Sequence, residues 1–199
     1  GWIEFLEDRM GWLDIEAFVH DSEYYKSYNI NANWALYVDN YLEGFHIPYV
    51  HSDLNEVLSY EDYETEIFEN GVLQIGIAKD DEDSFDLPKI SKDYGKKIAA
   101  YYFWIFPGLM LNFYPWGLSV NLVVPTSVNK TEIIYQRYIA DASLIGEGAG
   151  GDLDKVERED QEIVEAVQIG VSSSSYDRGR YSPRMEKGVH HFHRILTKI

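Results

Sequence analysis

The sequence contains no cysteine among its 199 residues. A chain without thiols forms no disulfide bonds, binds no zinc through thiolates, uses no cysteine nucleophile and holds no iron–sulfur cluster through cysteines of its own. The lack of cysteine also fits a reducing compartment, and we expect a cytoplasmic location. With 45% hydrophobic residues, a chain of this length can form one domain with its own core, and we take residues 1–199 as that domain.

Positive charge is scarce as well. The sequence has 17 Lys and Arg residues against 34 Asp and Glu residues, which gives a formal net charge of −17. This excess of negative charge opposes binding to the phosphates of nucleic acid or to an anionic membrane surface. No apolar run approaches the roughly 20 residues of a membrane-spanning helix, and from the pattern of the first residues we expect no signal peptide. We therefore expect neither nucleic acid nor a membrane as a partner.

The middle of the chain predicts antiparallel strands. Asn70-Gly71 separates two segments of high strand propensity, and Asn-Gly supplies both positive-φ positions of a tight hairpin turn. A polar, acidic loop is predicted at 79–97. Beyond it, apolar and aromatic segments predict strands at 99–106, 109–116, 118–125 and 131–140.

Helices are predicted on both sides of these strands. Apolar residues recur at helical spacing over residues 33–46, and a long helix is predicted over residues 153–171. A loop at 172–183 then leads into a short amphipathic helix at the end of the chain. Strands in one block with helices outside it favour an α+β fold, in which a curved antiparallel sheet wraps around the long helix.

Residues 146–151 match the pattern G-x-G-x-x-G of dinucleotide-binding loops. That pattern binds a pyrophosphate in a parallel β-α-β unit, whereas the strands here are predicted to be antiparallel. Acidic residues at the start of the following helix would also repel a phosphate, namely Asp152, Asp154, Glu157 and Glu159. We therefore interpret this segment as a flexible loop.

Residues 33–51 carry the most chemical information. On a continuous helix, Asp39, Glu43 and His46 would share one face. Pro48 disfavours helical geometry at the preceding residue and predicts that the helix ends there, which lets the chain bring His51 beside His46. Two imidazoles presented side by side suit a divalent metal.

A third ligand is suggested by an anomalous carboxylate in the long helix. The apolar stripe of this helix contains Val156, Ile163, Val164, Val167 and Val171, and Asp160 lies on the same stripe. An ionised Asp on a buried helix face is costly unless it is paired or bound to a metal. Glu157, Glu159 and Glu162 lie off the stripe and are predicted to be solvated.

Ordinary explanations stay open at this point. A histidine on a half-buried helix usually serves packing, and a buried Asp often caps a helix or pairs with an arginine such as Arg178 or Arg180. A second group of histidines is formed by His190, His191 and His193. Because neighbouring residues of a helix diverge by about 100°, His190 and His193 can face one ion but all three cannot.

In combination, these residues resemble the iron-site segment of Rieske non-haem iron oxygenases, the ring-hydroxylating oxygenase large (alpha) subunits. The matching pattern is an Asn-Trp pair, an acid-Asn pair, an acid three residues before the first histidine, and H-x4-H. In this sequence it consists of Asn33-Trp34, Asp39-Asn40, Glu43, His46 and His51. Residues 179–194 also resemble the C-terminal segment of that family, so the resemblance spans most of the chain.

The resemblance implies a helix-grip fold, START-like and Bet v1-like, with one mononuclear Fe(II). It implies His46, His51 and Asp160 as the metal ligands. It implies that Glu43 is the bridging acid that links the iron site to the Rieske cluster of a neighbouring subunit. Asp39 and Glu43 can also orient the ligating imidazoles, so we take Glu43, Asp39 and Asn40 as candidate catalytic residues.

One part of the family's machinery is absent from this sequence. A Rieske 2Fe-2S centre needs two cysteines and two histidines, and this chain has no cysteine. Either the chain is a catalytic-domain fragment whose Rieske domain is missing, or a separate Rieske protein or ferredoxin supplies the cluster, and we expect electrons to come from that source with a reductase. The isolated chain should then bind iron without efficient NADH-driven turnover. The family also implies O2 and a small molecule as substrates, and a homotrimer.

The sequence indicates the substrate less clearly than it indicates the metal site. Aromatic rings can line a pocket for an aromatic substrate or surround a quaternary ammonium group, because ring faces attract cations. The candidate contacts are Phe106, Asn112, Tyr114 and Asn121. We expect hydroxylation or oxidative demethylation of such a compound. The alternatives are a helix-grip module that binds a ligand without catalysis, and a degenerate structural subunit.

Overall fold

The computed structural model describes residues 1–80 and 82–198. In this part of the chain, eight strands form one antiparallel sheet in the order β1-β8-β7-β6-β5-β4-β3, and β2 also pairs with β8. The strands are β1 (Val19–His20), β2 (Lys26–Ile30), β3 (Glu64–Phe68), β4 (Gly71–Ile77), β5 (Ile98–Ile105), β6 (Leu109–Tyr114), β7 (Gly117–Ser127) and β8 (Lys130–Ile139). The α-helices are α1 (Trp2–Met10), α2 (Trp34–Tyr41), α3 (Ile47–Val50), α4 (Ser52–Val57), α5 (Leu153–Val171) and α6 (Lys187–Leu196).

Each face of the sheet packs against helices. Successive strand residues point to opposite faces, so Val72 and Trp104 pack with residues of α2, α5 and α6, while Leu73 and Phe103 pack with residues of α1. The predicted α+β class is confirmed, with a long antiparallel sheet against the long helix α5 in a helix-grip-like arrangement. Among the described residues, no helix combines the length and the apolar character needed to cross a membrane.

The predicted helix over 33–46 is shorter in the structure. Helix α2 starts at Trp34, where the side chain of Asn33 accepts a hydrogen bond from the backbone N–H of Ala35 at 3.0 Å, and it ends at Tyr41. Pro48 does not end a helix. It lies in the first turn of α3, where the missing N–H of proline has no partner to lose. Asp39, Glu43 and His46 therefore do not share one helix face.

The long helix confirms its predicted bounds, but its buried face differs from the predicted stripe. The buried residues of α5 are Val164 and Glu157, whereas Val167 is 42% exposed. The prediction that Glu157 is solvated is wrong, because this residue is only 7% exposed. Apolar spacing alone therefore does not reveal which face of α5 is buried.

The predicted hairpin forms with a shifted turn. Strands β3 and β4 pair with Phe68 opposite Gly71, so the turn residues are Glu69 and Asn70. Gly71 does not have a positive φ. It is needed for a close approach, since a Cβ atom there would lie 2.3 Å from the carbonyl oxygen of Trp104.

The glycine-rich segment, interpreted above as a flexible loop, contains a short packed turn. Residues Gly148–Gly150 form a short 3-10 turn that packs on the third core cluster and leads into α5. A Cβ atom at Gly150 would lie 2.3 Å from Nε1 of Trp116, so a larger residue does not fit. All the strand pairs described here are antiparallel, and the β-α-β unit that a dinucleotide site requires is missing from residues 1–80 and 82–198.

A buried ion pair fixes α1 to the outer face of the sheet. Nη1 of Arg9 donates to Oδ2 of Asp93 at 2.7 Å, and the hydroxyl of Tyr101 donates to the same oxygen at 3.0 Å. Arg9 also pairs with Glu66 on β3. Burial raises the pKa of Asp93, but the hydrogen bond and positive charge of Arg9, together with hydrogen bonds from Tyr101 and Lys96, outweigh burial and hold that pKa below its usual value.

We expect Asp93→Asn to lower the free energy of unfolding by about 2 kcal/mol, because it leaves the buried Arg9 with the partly exposed Glu66 as its remaining anionic partner. The contribution of Asp93 should be present above pH 3.8, the ordinary value, and should fade as the pH falls through the lower folded pKa. Urea unfolding between pH 3 and 7 measures this difference. Asp80→Asn is the control, because its ion pair with Lys97 is exposed and its loss should cost less than about 0.5 kcal/mol. Equal effects of the two substitutions would contradict the prediction.

Candidate metal centre

His46, His51 and Asp160 lie together in the folded chain. One ligand atom from each falls within 4.8 Å of the others. Nε2 of His51 is 3.0 Å and Nε2 of His46 is 3.5 Å from Oδ1 of Asp160. The two imidazole rings are 4.9 Å apart and nearly perpendicular, at 80°. Short α3 separates the two histidines, and α5 supplies the carboxylate.

Each imidazole is oriented by a carboxylate on its far side. Nδ1 of His46 donates to Oε1 of Glu43 at 2.6 Å, and Nδ1 of His51 donates to Oε2 of Glu159 at 2.8 Å. These hydrogen bonds turn both Nε2 atoms toward Asp160. Carboxylates in this position fix the tautomer of a ligating histidine and raise its basicity.

Asn40 and Asp39 have different roles in the structure. Nδ2 of Asn40 donates to Oδ1 of Asp160 at 2.6 Å, which orients that carboxylate. Oδ1 of Asp39 instead accepts a hydrogen bond from Nε2 of His193 at 2.8 Å. The expectation that Asp39 orients a ligating imidazole is therefore wrong, because consecutive residues of α2 diverge by about 100° and only Asn40 faces the centre.

The residues present fit a mononuclear iron. Two imidazoles and one carboxylate on one side of a metal are the donors typical of non-haem Fe(II) sites, and they leave further coordination positions open. Burial lowers the pKa of His51, but its contacts with Asp160 and Glu159 outweigh burial and raise it. This clustering of carboxylates around two imidazoles provides the negative charge that a divalent cation requires.

The three candidate ligands line a cavity between α5 and the sheet. Its free volume is about 90 Å³, and its wall is rich in tyrosine, namely Tyr37, Tyr41, Tyr63, Tyr102 and Tyr114. The hydroxyl of Tyr102 is buried and has no hydrogen-bond partner among the described residues. The cavity therefore offers aromatic faces and at least one unused polar group to a small molecule beside the metal ligands.

Three of the four predicted substrate contacts line this cavity. Asn112, Tyr114 and Asn121 do so, since their strands present them on the inner face. Asn112 is held by the hydroxyl of Tyr41, which donates to its Oδ1 at 2.6 Å. Phe106 is not part of the lining, because it follows the end of β5 and packs 6.1 Å from the Trp104 ring.

Sequence reasoning missed two acidic residues of the site. Glu159 orients His51, although the sequence suggested only a solvated side chain. Glu157 lines the cavity, and burial raises its pKa well above the usual range, while the hydroxyl of Tyr135 opposes this in part. The spacing of three residues between Glu157 and Asp160 is the signal that could have placed both on one side of α5.

The C-terminal histidines do not form a second metal site in the described part of the chain, where the centre above is the one group with suitable geometry. His193 pairs with Asp39 and with the hydroxyl of Tyr181, and His190 packs its ring 5.1 Å from that of Tyr181. Nε2 of His191 donates to the carbonyl oxygen of Phe68 at 2.9 Å. These side chains attach α6 to α2 and to β3.

The sequence of this chain is similar to a known protein family and to several characterised proteins. Residues 19–199 match a family described as ring hydroxylating alpha subunit (catalytic domain). The chain is 37% identical over 180 residues to the chloroplastic choline monooxygenase of Arabidopsis thaliana, covering 86% of this chain and 40% of that protein. It is 31% identical over 180 residues to the carnitine monooxygenase oxygenase subunit of Escherichia coli (strain K12), covering 84% and 47%.

Solved structures give the same fold. A quaternary ammonium Rieske monooxygenase in complex with an inhibitor superposes with a TM-score of 0.77 at 24% identity, covering 100% of this chain and 53% of that one. The chain thus spans about half or less of the length of these relatives. The match over residues 19–199 includes the H-x4-H pair and Asp160. The chain belongs to the family of ring-hydroxylating alpha subunit catalytic domains.

Proposed function

We propose that this chain is the catalytic part of an oxygenase that oxidises a small quaternary ammonium compound. The observation that carries the proposal is the convergence of His46, His51 and Asp160 on a tyrosine-lined cavity. Relatives named choline monooxygenase and carnitine monooxygenase support the substrate class. Tyrosine faces attract cations, which agrees with a quaternary ammonium head group.

A mononuclear iron bound by these three residues would supply O2 activation beside the substrate. In the overall reaction a C–H bond becomes C–OH, and the second oxygen atom leaves as water after uptake of two electrons and two protons. Glu43 and Glu159 keep protons on the Nδ1 atoms, which frees both Nε2 atoms as ligands. Asn40 holds the Asp160 carboxylate in place.

Other residues of the chain would position the substrate. Tyr41, Tyr102 and Tyr114 form a wall that excludes water and faces the cationic group. The amide of Asn112 is fixed by the Tyr41 hydroxyl on its oxygen, which leaves its N–H2 group as a donor toward a substrate oxygen. The reaction then depends on holding one carbon of the substrate next to the metal ligands.

The electrons must come from outside these residues, because the chain has no cysteine for a Rieske cluster. We propose that Glu43, which contacts His46, receives them across an interface with the Rieske domain or ferredoxin of another chain, served by a reductase. A homotrimer would provide such interfaces. The compartment stays a prediction as well, since the plant relatives are named chloroplastic while we expect a cytoplasmic location.

Labelled oxygen tests the proposal. The protein is loaded with Fe(II), supplied with a reduced Rieske-type ferredoxin and offered choline or carnitine under 18O2. We expect one 18O atom in the product and O2 uptake that depends on the ammonium compound. His51→Ala is the control without a complete metal site. Ligand binding without oxygen incorporation into either compound would contradict the proposal and favour the non-catalytic binding module.

A further inference from the structure

The charges around the cavity are unbalanced. Its lining contains three carboxylates, Glu43, Glu157 and Asp160, and two imidazoles, but no Lys or Arg among the described residues. Two of these carboxylates have evident partners, since Glu43 bonds His46 and Asp160 bonds Asn40 and His51. The partners of the third carboxylate, Glu157, are not explained by these contacts.

Glu157 is a costly residue in this position. It is 7% exposed, and the ion pairs among the described residues leave it without a basic partner, because the nearby Lys26 pairs with Asp154. Burying a carboxyl group without a cation carries a large free-energy penalty. Burial accordingly raises the pKa of Glu157, an effect that a cation in the cavity would reverse.

The helix sets the distance between Glu157 and the metal centre. Glu157 and Asp160 are three residues apart on α5, which places them on one side of the helix and about 4.5 Å apart along its axis. A cationic nitrogen beside Glu157 would therefore lie about one helical turn from the metal ligands. Both side chains line the same cavity, so a cation beside Glu157 would share that cavity with the candidate metal ligands.

We propose that Glu157 is the counter-charge for a quaternary ammonium group and that the site selects a compound with net positive charge, such as choline, over a zwitterion such as carnitine. This inference rests on the function proposed above. A substrate carboxylate would find no Lys or Arg in the lining and would meet Glu157 and Glu43 instead. A neutral hydroxyl, in contrast, can accept from the amide of Asn112 and pair with the free hydroxyl of Tyr102.

Equilibrium dialysis of the full chain loaded with Fe(II) under anaerobic conditions tests the inference. We expect the wild type to bind choline at least about tenfold more tightly than carnitine, since close charge pairs are coupled by this much or more. Glu157→Gln should lose about tenfold in affinity for choline and most of the preference over carnitine. Glu162→Gln, an exposed residue of the same helix, is the matched control and should change neither value.

A second measurement uses only the wild-type protein, so its result does not depend on whether the Glu157→Gln variant folds. The wild type is offered 3,3-dimethylbutan-1-ol, which has the shape of choline without its charge, and we expect it to bind at least about tenfold more weakly than choline. Equal binding of choline and carnitine, or of choline and the neutral alcohol, would overturn the inference. If choline and carnitine bind equally and carnitine is oxidised, the proposed function is supported and only the proposed role of Glu157 is overturned. If neither ammonium compound is bound or oxidised, both are overturned.

Discussion

Asp160→Ala should remove iron from this protein. The carboxylate is the one ligand contributed by α5, and both Nε2 atoms of the histidine pair face its Oδ1 atom. Loss of a residue that only orients a ligand typically costs 10- to 100-fold in metal affinity, so loss of the ligand itself should cost more than about 100-fold. Titration of the anaerobic protein with Fe(II), followed by metal analysis after gel filtration, measures this loss.

The matched control for this experiment is His193→Ala. His193 is a histidine with a carboxylate partner, Asp39, but it does not belong to the metal centre. We expect this variant to keep its iron. It should lose some stability, because the hydrogen bond that attaches α6 to α2 is removed. An Asp160→Ala protein that retains one iron per chain, or a His193→Ala protein that loses it, would show that the metal centre is assigned wrongly.

Glu43→Ala should weaken iron binding by about 10- to 100-fold, because His46 loses the acceptor that fixes its Nδ1 proton. Glu159→Ala should weaken it by a similar factor through His51. Competition with a chelator gives both affinities. Glu162→Ala on the exposed side of α5 should leave the affinity unchanged. Unaltered iron affinity in both Glu43→Ala and Glu159→Ala would contradict an orienting role for these carboxylates.

The same pair of variants separates the two roles that we propose for Glu43. At saturating iron and with a reduced Rieske-type ferredoxin, Glu159→Ala should keep most of its turnover per bound iron. Glu43→Ala should lose turnover per bound iron as well, because the proposed path of the electrons passes through this residue. Equal turnover per iron in the two variants would remove the bridging role and leave only the orientation of His46.

Much of the fold was predictable because it depends on local patterns. Helix α5 was predicted from residue 153 to 171 as observed, and the strands from 99 to 140 followed from apolar segments separated by Pro and Gly. Helix α1 and strands β1 and β2 were not predicted. Their residues gain regular structure only by pairing with β8 or packing on the outer face of the sheet, which are contacts between distant parts of the chain.

The three candidate metal ligands could also be proposed from the sequence, but the helix geometry first used to argue for them is not the one observed. His46, His51 and Asp160 were chosen correctly as a group that meets in space. The continuous helix that was to align Asp39, Glu43 and His46 does not exist, since α2 ends at Tyr41. The grouping did not depend on that helix, because His46 and His51 flank the short helix α3, whose first turn contains Pro48.

The sequence alone determined the long helix α5, most strands of the antiparallel sheet and the three candidate ligands, because periodicity, turn residues and residue chemistry are local properties. Only the tertiary structure decided which carboxylates serve the site. In the folded chain Glu159 accepts a hydrogen bond from His51, Asp39 accepts one from His193, and Glu157 is buried in the cavity wall. The physical reason is that burial and partner choice depend on which segments meet across more than a hundred residues, as His51 and Asp160 do.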